Sequence, residues 1–265
     1  MDNYIYDIVY SITAHENYNI LNNLIDNIIK FNKNYNVLIC LNLNKYMYEN
    51  RNSIKQTNVI INHNVFDKRP WTSDFLKAHI SNFQFLLNEN ILFDNFMLLA
   101  SNCMLIKQIK LPNKNVYDNR LYFTYAKDNQ LEKLNDWSNW PNILKNKIII
   151  NILIENKVKI TRAQHEGRLY NFTLFYNIYK FIKDYNLLNL IEQEGVFEEF
   201  LLPSLEHYYN NGKIVPVYCK VFWEKKDYLP NIDDVKKYIN DPNIFAVKRV
   251  NRYYNDIVRN FINSL

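Results

Sequence analysis

Tyr4-Ile5-Tyr6-Asp7-Ile8-Val9-Tyr10-Ser11-Ile12-Thr13 is an apolar, β-branched run that reads as a first strand buried on both faces. After His15-Glu16-Asn17, apolar residues recur at 20, 21, 24, 25, 28 and 29, the period of a helix running to about Phe31. Val37 to Leu43 (VLICLNL) is a second continuous apolar strand. Strand, helix and strand of this kind predict a parallel sheet covered on both faces. Val59-Ile60-Ile61 adds a third strand. A helix from about Thr72 to Leu87 follows, with Phe75, Leu76, His79, Ile80, Phe83 and Leu86 on one face, and Phe96 to Ala100 makes a fourth strand. The expected class is therefore α/β, a Rossmann-like fold with a mostly parallel central sheet flanked by helices.

The rest of the chain is less regular. Leu121 to Tyr125 reads as a strand, Trp137 and Trp140 with Pro141 as a loop or platform, and Ile148 to Ile154 with Val158 to Ile160 as a pair of strands. Phe172 to Tyr185 has helical character. Gly195 to Tyr209 reads as one short helix entered through Glu198 and Glu199, with Pro203 tolerated in its first turn. Ile214 to Val221 and Ile244 to Val247 read as strands, and Asn255 to Ile262 as a closing helix capped by Asn255 or Asp256. No linker, repeat or low-complexity tail interrupts the chain. One domain over 1–265 is expected, with 1–110 as a nucleotide-binding half and 111–265 as a second half that completes the site.

Composition narrows the function classes. A chain of 265 residues that is 48% hydrophobic and 15% aromatic is globular, not disordered. A formal net charge of +5, with no run of five basic residues, suits an anionic small ligand better than a nucleic-acid groove. Much of the Asn, Lys, Ile and Tyr content fits an AT-rich genome, so single Asn and Lys residues carry little signal. Cys40, Cys103 and Cys219 are far apart, with no CxxC and no His at metal-ligand spacing, as in a chain of reduced, buried thiols. The N-terminus lacks the basic and apolar regions of a signal peptide. The apolar run around Ile148 falls far short of the roughly 20 residues that span a bilayer. A cytoplasmic protein without a transmembrane segment is expected.

In open α/β sheets, ligands sit beyond the carboxyl ends of the strands. Thr13, Ala14 and His15 end the first strand and are placed to touch a nucleotide; the same stretch also reads as an ordinary turn with Asn17 capping the next helix. Asn42 and Asn44 end the second strand and can bond a ribose or base, or simply make a turn. Ala100-Ser101-Asn102-Cys103-Met104-Leu105-Ile106-Lys107, after the fourth strand, contains no carboxylate. Many nucleotide-sugar enzymes hold a divalent ion there with an Asp-x-Asp. Without one, a diphosphate must meet side-chain cations, and Lys248 and Arg249 are the natural candidates; the two also read as a solvated charge pair. His165-Glu166-Gly167-Arg168 joins charge to a rare glycine, which fits a shaped loop near a polar ligand or a solvent loop. Trp71, after Lys68-Arg69-Pro70, can cover a sugar or anchor its helix. Glu198 and Glu199 at a helix start are favoured as carboxylates by the macrodipole, either as caps or with one as a general base.

These features occur in an order that resembles the core-2/I-branching β-1,6-N-acetylglucosaminyltransferases and the related peptide O-xylosyltransferases. Ser11-Ile12-x-x-His15 looks like their "SIVVHHK" opening, and Arg69-Pro70-Trp71-Thr72 like "VxASW". Leu98 to Lys107 is similar to "NLCGMDFPIK", and Glu166 to Tyr170 resembles "SGSAYF". Val196 to Leu205 looks like "SPDEYLWATI", and Ile244 to Arg249 is similar to "LFANKF". The resemblance spans nearly the whole chain. It implies a GT-A-like glycosyltransferase fold and metal-independent, inverting transfer from a nucleotide-sugar donor, by default UDP-N-acetylglucosamine or another UDP-sugar, to a glycan or glycan-precursor hydroxyl. Glu199 would be the base and Lys248 a cation on the diphosphate. Thr13, Ala14, His15, Asn42, Arg69, Ser101, Asn102, Lys248 and Arg249 would face the donor; Trp71, Lys107, His165, Glu166 and Glu198 would face the acceptor. No cofactor, metal or nucleic acid is expected. The chain departs from the family at Cys103 and Asn42, where the family has Asp, and in lacking a clear match to the family's late Arg, for which Lys220, Arg249 or Arg252 can substitute. Two rival readings are a glycoside hydrolase, which needs a second acid because Glu198 and Glu199 point apart, and a non-catalytic sugar- or nucleic-acid-binding module built on Trp71, Trp137, Trp140 and Trp223.

Overall fold

The computed structural model describes residues 5–55, 57–66, 72–111, 124–125, 137–191, 195–222 and 228–265. The opening half follows the hydrophobic pattern. β1 (Ile5–Ala14), α1 (Tyr18–Phe31), β2 (Val37–Leu43), α2 (Lys45–Glu49), β3 (Val59–Asn62), α3 (Asp74–Asn88) and β4 (Leu92–Ala100) alternate strand and helix. β2 is buried along its whole length, as a strand covered on both faces requires. Asn17 caps α1 by accepting from the Ile20 amide, and Asn44 caps α2 through the Met47 amide.

The second half holds short elements: β5 (Cys103–Leu105), β6 (Thr124–Tyr125), α4 (Trp140–Lys145), α5 (Lys147–Glu155), β7 (Thr161–Arg162), β8 (Leu169–Asn171), α6 (Phe172–Asp184), α7 (Leu187–Leu190), α8 (Leu201–Tyr209), β9 (Cys219–Val221), α9 (Ile232–Ile239), β10 (Ala246–Lys248) and α10 (Ile257–Ser264). The main sheet runs in the order β3-β2-β1-β4-β8, with β1 parallel to both β2 and β4 and β8 antiparallel at the edge. A second sheet of three strands, β5-β10-β9, joins the segment after β4 to the chain's end. α3, α5, α6 and α8 pack on one side of the main sheet; α1 and the second sheet pack on the other. The α/β class with a mostly parallel central sheet flanked by helices is thus observed.

Three expectations need correction. Ile148 to Ile154 is not a strand but lies within α5, where Ile149, Ile150 and Leu153 are buried while Ile148 faces solvent. The Asn146 side chain caps it through the Ile149 amide, so a local cap and a one-sided core override the β preference of isoleucine. Val158 to Ile160 also stays outside any strand, and pairing begins only at Thr161. In the stretch from Ile214, the strand is confined to Cys219–Val221, because Pro216 has no amide to give a ladder. The segment Leu121 to Phe123 lies outside the described residues. The closing helix uses Asp256 as its cap.

Candidate active site

The stretch from Gly195 to Tyr209 is two elements, not one. Phe197–Glu199 forms a single 3-10 turn, Phe200 breaks the path with φ −116 and ψ −58, and α8 starts at Leu201 with Pro203 in its first turn. Phe197, Phe200, Leu201, Leu202 and Leu205 are buried in the core and pin the turn from both sides. This separates the two acids. Glu198 turns inward and is 2% exposed. Burial, and then the neighbouring Glu199 charge, hold its carboxyl well above the usual range. The Glu199 side chain keeps 19% of its surface and opens toward solvent. Burial raises its pKa to about 7, with Arg162 and Arg168 pulling the other way.

Glu199 faces the loop that carries His165 and Glu166. Its own carbonyl accepts from the Ala163 amide at 2.9 Å, and its carboxylate lies 3.9 Å from His165 Nδ1. His165 Nε2 is 3.3 Å from Glu166 Oε1, and the same oxygen takes the ammonium of Lys248. A line of polar groups therefore runs Glu199–His165–Glu166–Lys248. Burial, then the Lys248 charge, push His165 well below its ordinary pKa, so its imidazole is neutral. Burial lowers the Lys248 pKa to about 8. The loop is buried, not a solvent loop: His165, Glu166 and Arg168 are all at 5% exposure or less. Gly167 is required within it. Its φ is +78, and an added Cβ would sit 2.4 Å from the Cys219 backbone nitrogen. Arg168, fully buried, locks the loop onto α8 by pairing with Glu206 and by donating from Nε to the Gln164 carbonyl at 2.5 Å.

On the other side of Lys248 lie the ends of β1 and β4. The Ser101 amide donates to the Thr13 carbonyl at 3.2 Å, bringing Thr13, Ala14, His15, Ser101 and Asn102 to one edge. Glu16 is the hub there, and the sequence reading passed over it. It accepts from the Ser101 hydroxyl and from Arg252 Nε at 2.6 Å, and lies 3.7 Å from His15. Burial opposes ionisation, but His15 and Arg252 hold Glu16 below its ordinary pKa. Its position beside His15 was the one available signal. Arg249, the residue after Lys248, takes a left-handed backbone at φ +81, which turns the chain sharply out of β10.

Other candidates lie elsewhere. Asn42 is fully buried and its amide donates to the Asn64 carbonyl, which fixes the turn after β3. Lys107 is tied to the carbonyl end of α9, donating to Ile239 at 2.9 Å and to Asp241, away from Glu199. Trp140 is fully buried against Phe200, with Trp137 edge-on to it at 5.1 Å, so these two rings build core and not a stacking platform. Arg69, Trp71 and Trp223 lie outside the described residues. Among the described residues, one donor atom from each of His165, Glu166 and Glu199 falls within 4.8 Å of the others, the only such grouping able to hold a metal ion.

No protein-family model matches this sequence, and no curated protein does. Solved structures give distant likenesses. The apo structure titled "WbbM bifunctional glycosytransferase" shares 13% identity at a TM-score of 0.42, covering 100% of this chain and 52% of that one. The apo-form glycosyltransferase GlyE of Streptococcus pneumoniae shares 10% identity at a TM-score of 0.32, covering 97% of this chain and 59% of that one. The chain thus spans a little over half the length of either. Among the described residues no helix is long and apolar enough to cross a membrane.

Proposed function

We propose that this chain is a metal-independent, inverting glycosyltransferase of GT-A-like fold that uses a nucleotide-sugar donor, with Glu199 as general base and Lys248 as the cation on the leaving diphosphate. The observation that carries the reading is a partly open carboxylate, Glu199, linked through His165 and Glu166 to Lys248 at the carboxyl edge of β1 and β4. Acceptor and donor would meet along that line. The acceptor hydroxyl attacks the anomeric carbon as Glu199 takes its proton; the bond to the diphosphate oxygen breaks, and Lys248 meets the charge that develops there. A single base opposite the leaving group gives inversion. The segment after β4 has no carboxylate with which to hold a metal on the diphosphate. UDP-N-acetylglucosamine or another UDP-sugar is the proposed donor, and a glycan or glycan-precursor hydroxyl the acceptor.

Two measurements test this. A thermal-shift panel of nucleoside diphosphates in EDTA is expected to raise the melting temperature with UDP, and the Lys248→Met variant to lose that rise. No response to any nucleotide would remove the donor assignment.

A further inference from the structure

The grouping of His165, Glu166 and Glu199 has chemistry beyond proton transfer. His165 and Glu166 are 5% and 0% exposed, and His165 Nδ1 and Glu166 Oε2 are buried with no hydrogen-bond partner among the described residues. Burying such atoms unpaired costs stability, and a bound ion that accepts their lone pairs removes that cost. Donor atoms from the three residues lie within 4.8 Å of one another. Around an ion bound at about 2.0–2.2 Å, tetrahedral donors stand roughly 3.4 Å apart, so a modest contraction suffices. A neutral imidazole with two carboxylates sets −2 against an ion of +2, with Lys248 adding one positive charge at Glu166. One nitrogen and two oxygens on three residues favour zinc or cobalt over magnesium or calcium, which seek more oxygens. Lys248 pairs with Glu166 Oε1, and Glu166 Oε2 is buried without a partner among the described residues. The partly open Glu199 supplies the entry path and room for a water as fourth ligand.

We infer that His165, Glu166 and Glu199 bind a divalent transition-metal cation of the zinc class, and that the bound ion inhibits transfer by taking the lone pair Glu199 otherwise offers the acceptor hydroxyl. Binding stands on the geometry alone; inhibition rests on Glu199 being the base.

The test uses the full chain stripped with EDTA. Zn²⁺ is titrated in against a chromogenic chelator, and Co²⁺ is bound in parallel for its visible spectrum. One equivalent of zinc is expected, weakened at least tenfold by His165→Ala and by Glu199→Gln and unchanged by Cys103→Ser. Thermal melts confirm that each variant is folded. Glu199, whose side chain keeps 19% of its surface, is the variant least exposed to misfolding. Cobalt is expected to show d–d bands without a thiolate charge-transfer band. No zinc uptake, equal affinity in both site variants, or a thiolate band assigning the ion to Cys103 or Cys219 overturns the site. Zinc that binds yet leaves transfer undiminished overturns the inhibition. A loss of UDP response in EDTA bears on the glycosyltransferase reading only, since zinc uptake is read without substrate.

Discussion

The polar groups buried beneath the parallel strands and those buried beside Glu199 are treated in opposite ways. Under β1, β2 and β3, Asn82 donates to Ser11 at 3.0 Å and to the Cys40 carbonyl at 3.1 Å, and accepts from Asn62 at 3.0 Å. Asn62 also donates to Ser81 at 2.9 Å and accepts from the Asn64 amide, while Ser11 meets His79 at 2.8 Å. These bonds tie α3 to three strands and rigidify them. Around Glu199 the groups are crowded and incompletely paired, with Glu166 Oε2, Glu198 Oε2 and His165 Nδ1 all lacking partners among the described residues. Leaving buried polar atoms unpaired costs stability, and folds accept that cost mainly at sites that do chemistry. One network holds the sheet; the other is held by it.

The sharpest way to break this contrast is Glu199→Gln. Transfer is expected to fall about 10²–10⁴-fold, the range general base catalysis supplies, while the melting temperature stays level or rises. Near-native transfer by the folded variant would remove Glu199 as base. Asn82→Leu is the mirror experiment. It takes one partner each from Ser11, Asn62 and the Cys40 carbonyl, although Ser11 keeps His79 and Asn62 keeps Ser81, and is expected to cost about 1–3 kcal/mol in urea unfolding. Residual transfer per folded molecule should persist; an unchanged unfolding midpoint would show that the network is not what ties α3 to the sheet.

The pH profile sharpens the same division. A base must be ionised, so kcat/KM, measured in EDTA, should rise through the Glu199 pKa of about 7. It should fall again as Lys248 loses its proton at about 8. The expected profile is a narrow bell between those values, and a flat profile from pH 6 to 9 contradicts both roles. The smallest effect is reserved for Lys107→Met. Its ammonium caps carbonyls at the end of α9, so stability should drop by about 1 kcal/mol with KM for either substrate unmoved. A raised acceptor KM with unchanged stability would return Lys107 to the site.

How much was legible in advance follows from the range of the forces involved. β1, α1, β2, α3 and β4 are regular elements whose apolar residues repeat with one period, and the pattern alone marks them. α5 was misread because an isoleucine run has no period distinguishing strand from helix; only packing against α7 and the Asn146 cap decides. Lys248 and Glu199 could be singled out from their place after a strand and before a helix. Glu16 could not, because its partners Ser101 and Arg252 lie 85 and 236 residues away in the chain. Lys107, Asn42 and Trp140 look alike as site candidates in one dimension, and each proves to be tied into the scaffold.

By itself the sequence determined the parallel sheet, through its continuous apolar strands, and the carboxylate-free segment after β4, through the residue types present. The tertiary structure decided which of two adjacent glutamates is buried and which is partly open. The aromatic anchors on either side of one 3-10 turn set their directions, and no local propensity encodes that choice. It also decided that Lys248 meets Glu166. That contact depends on β10 lying between β5 and β9 and on a left-handed Gly167 letting its loop press against Cys219. Charges so far apart in the chain acquire a function only when the core brings them together away from water.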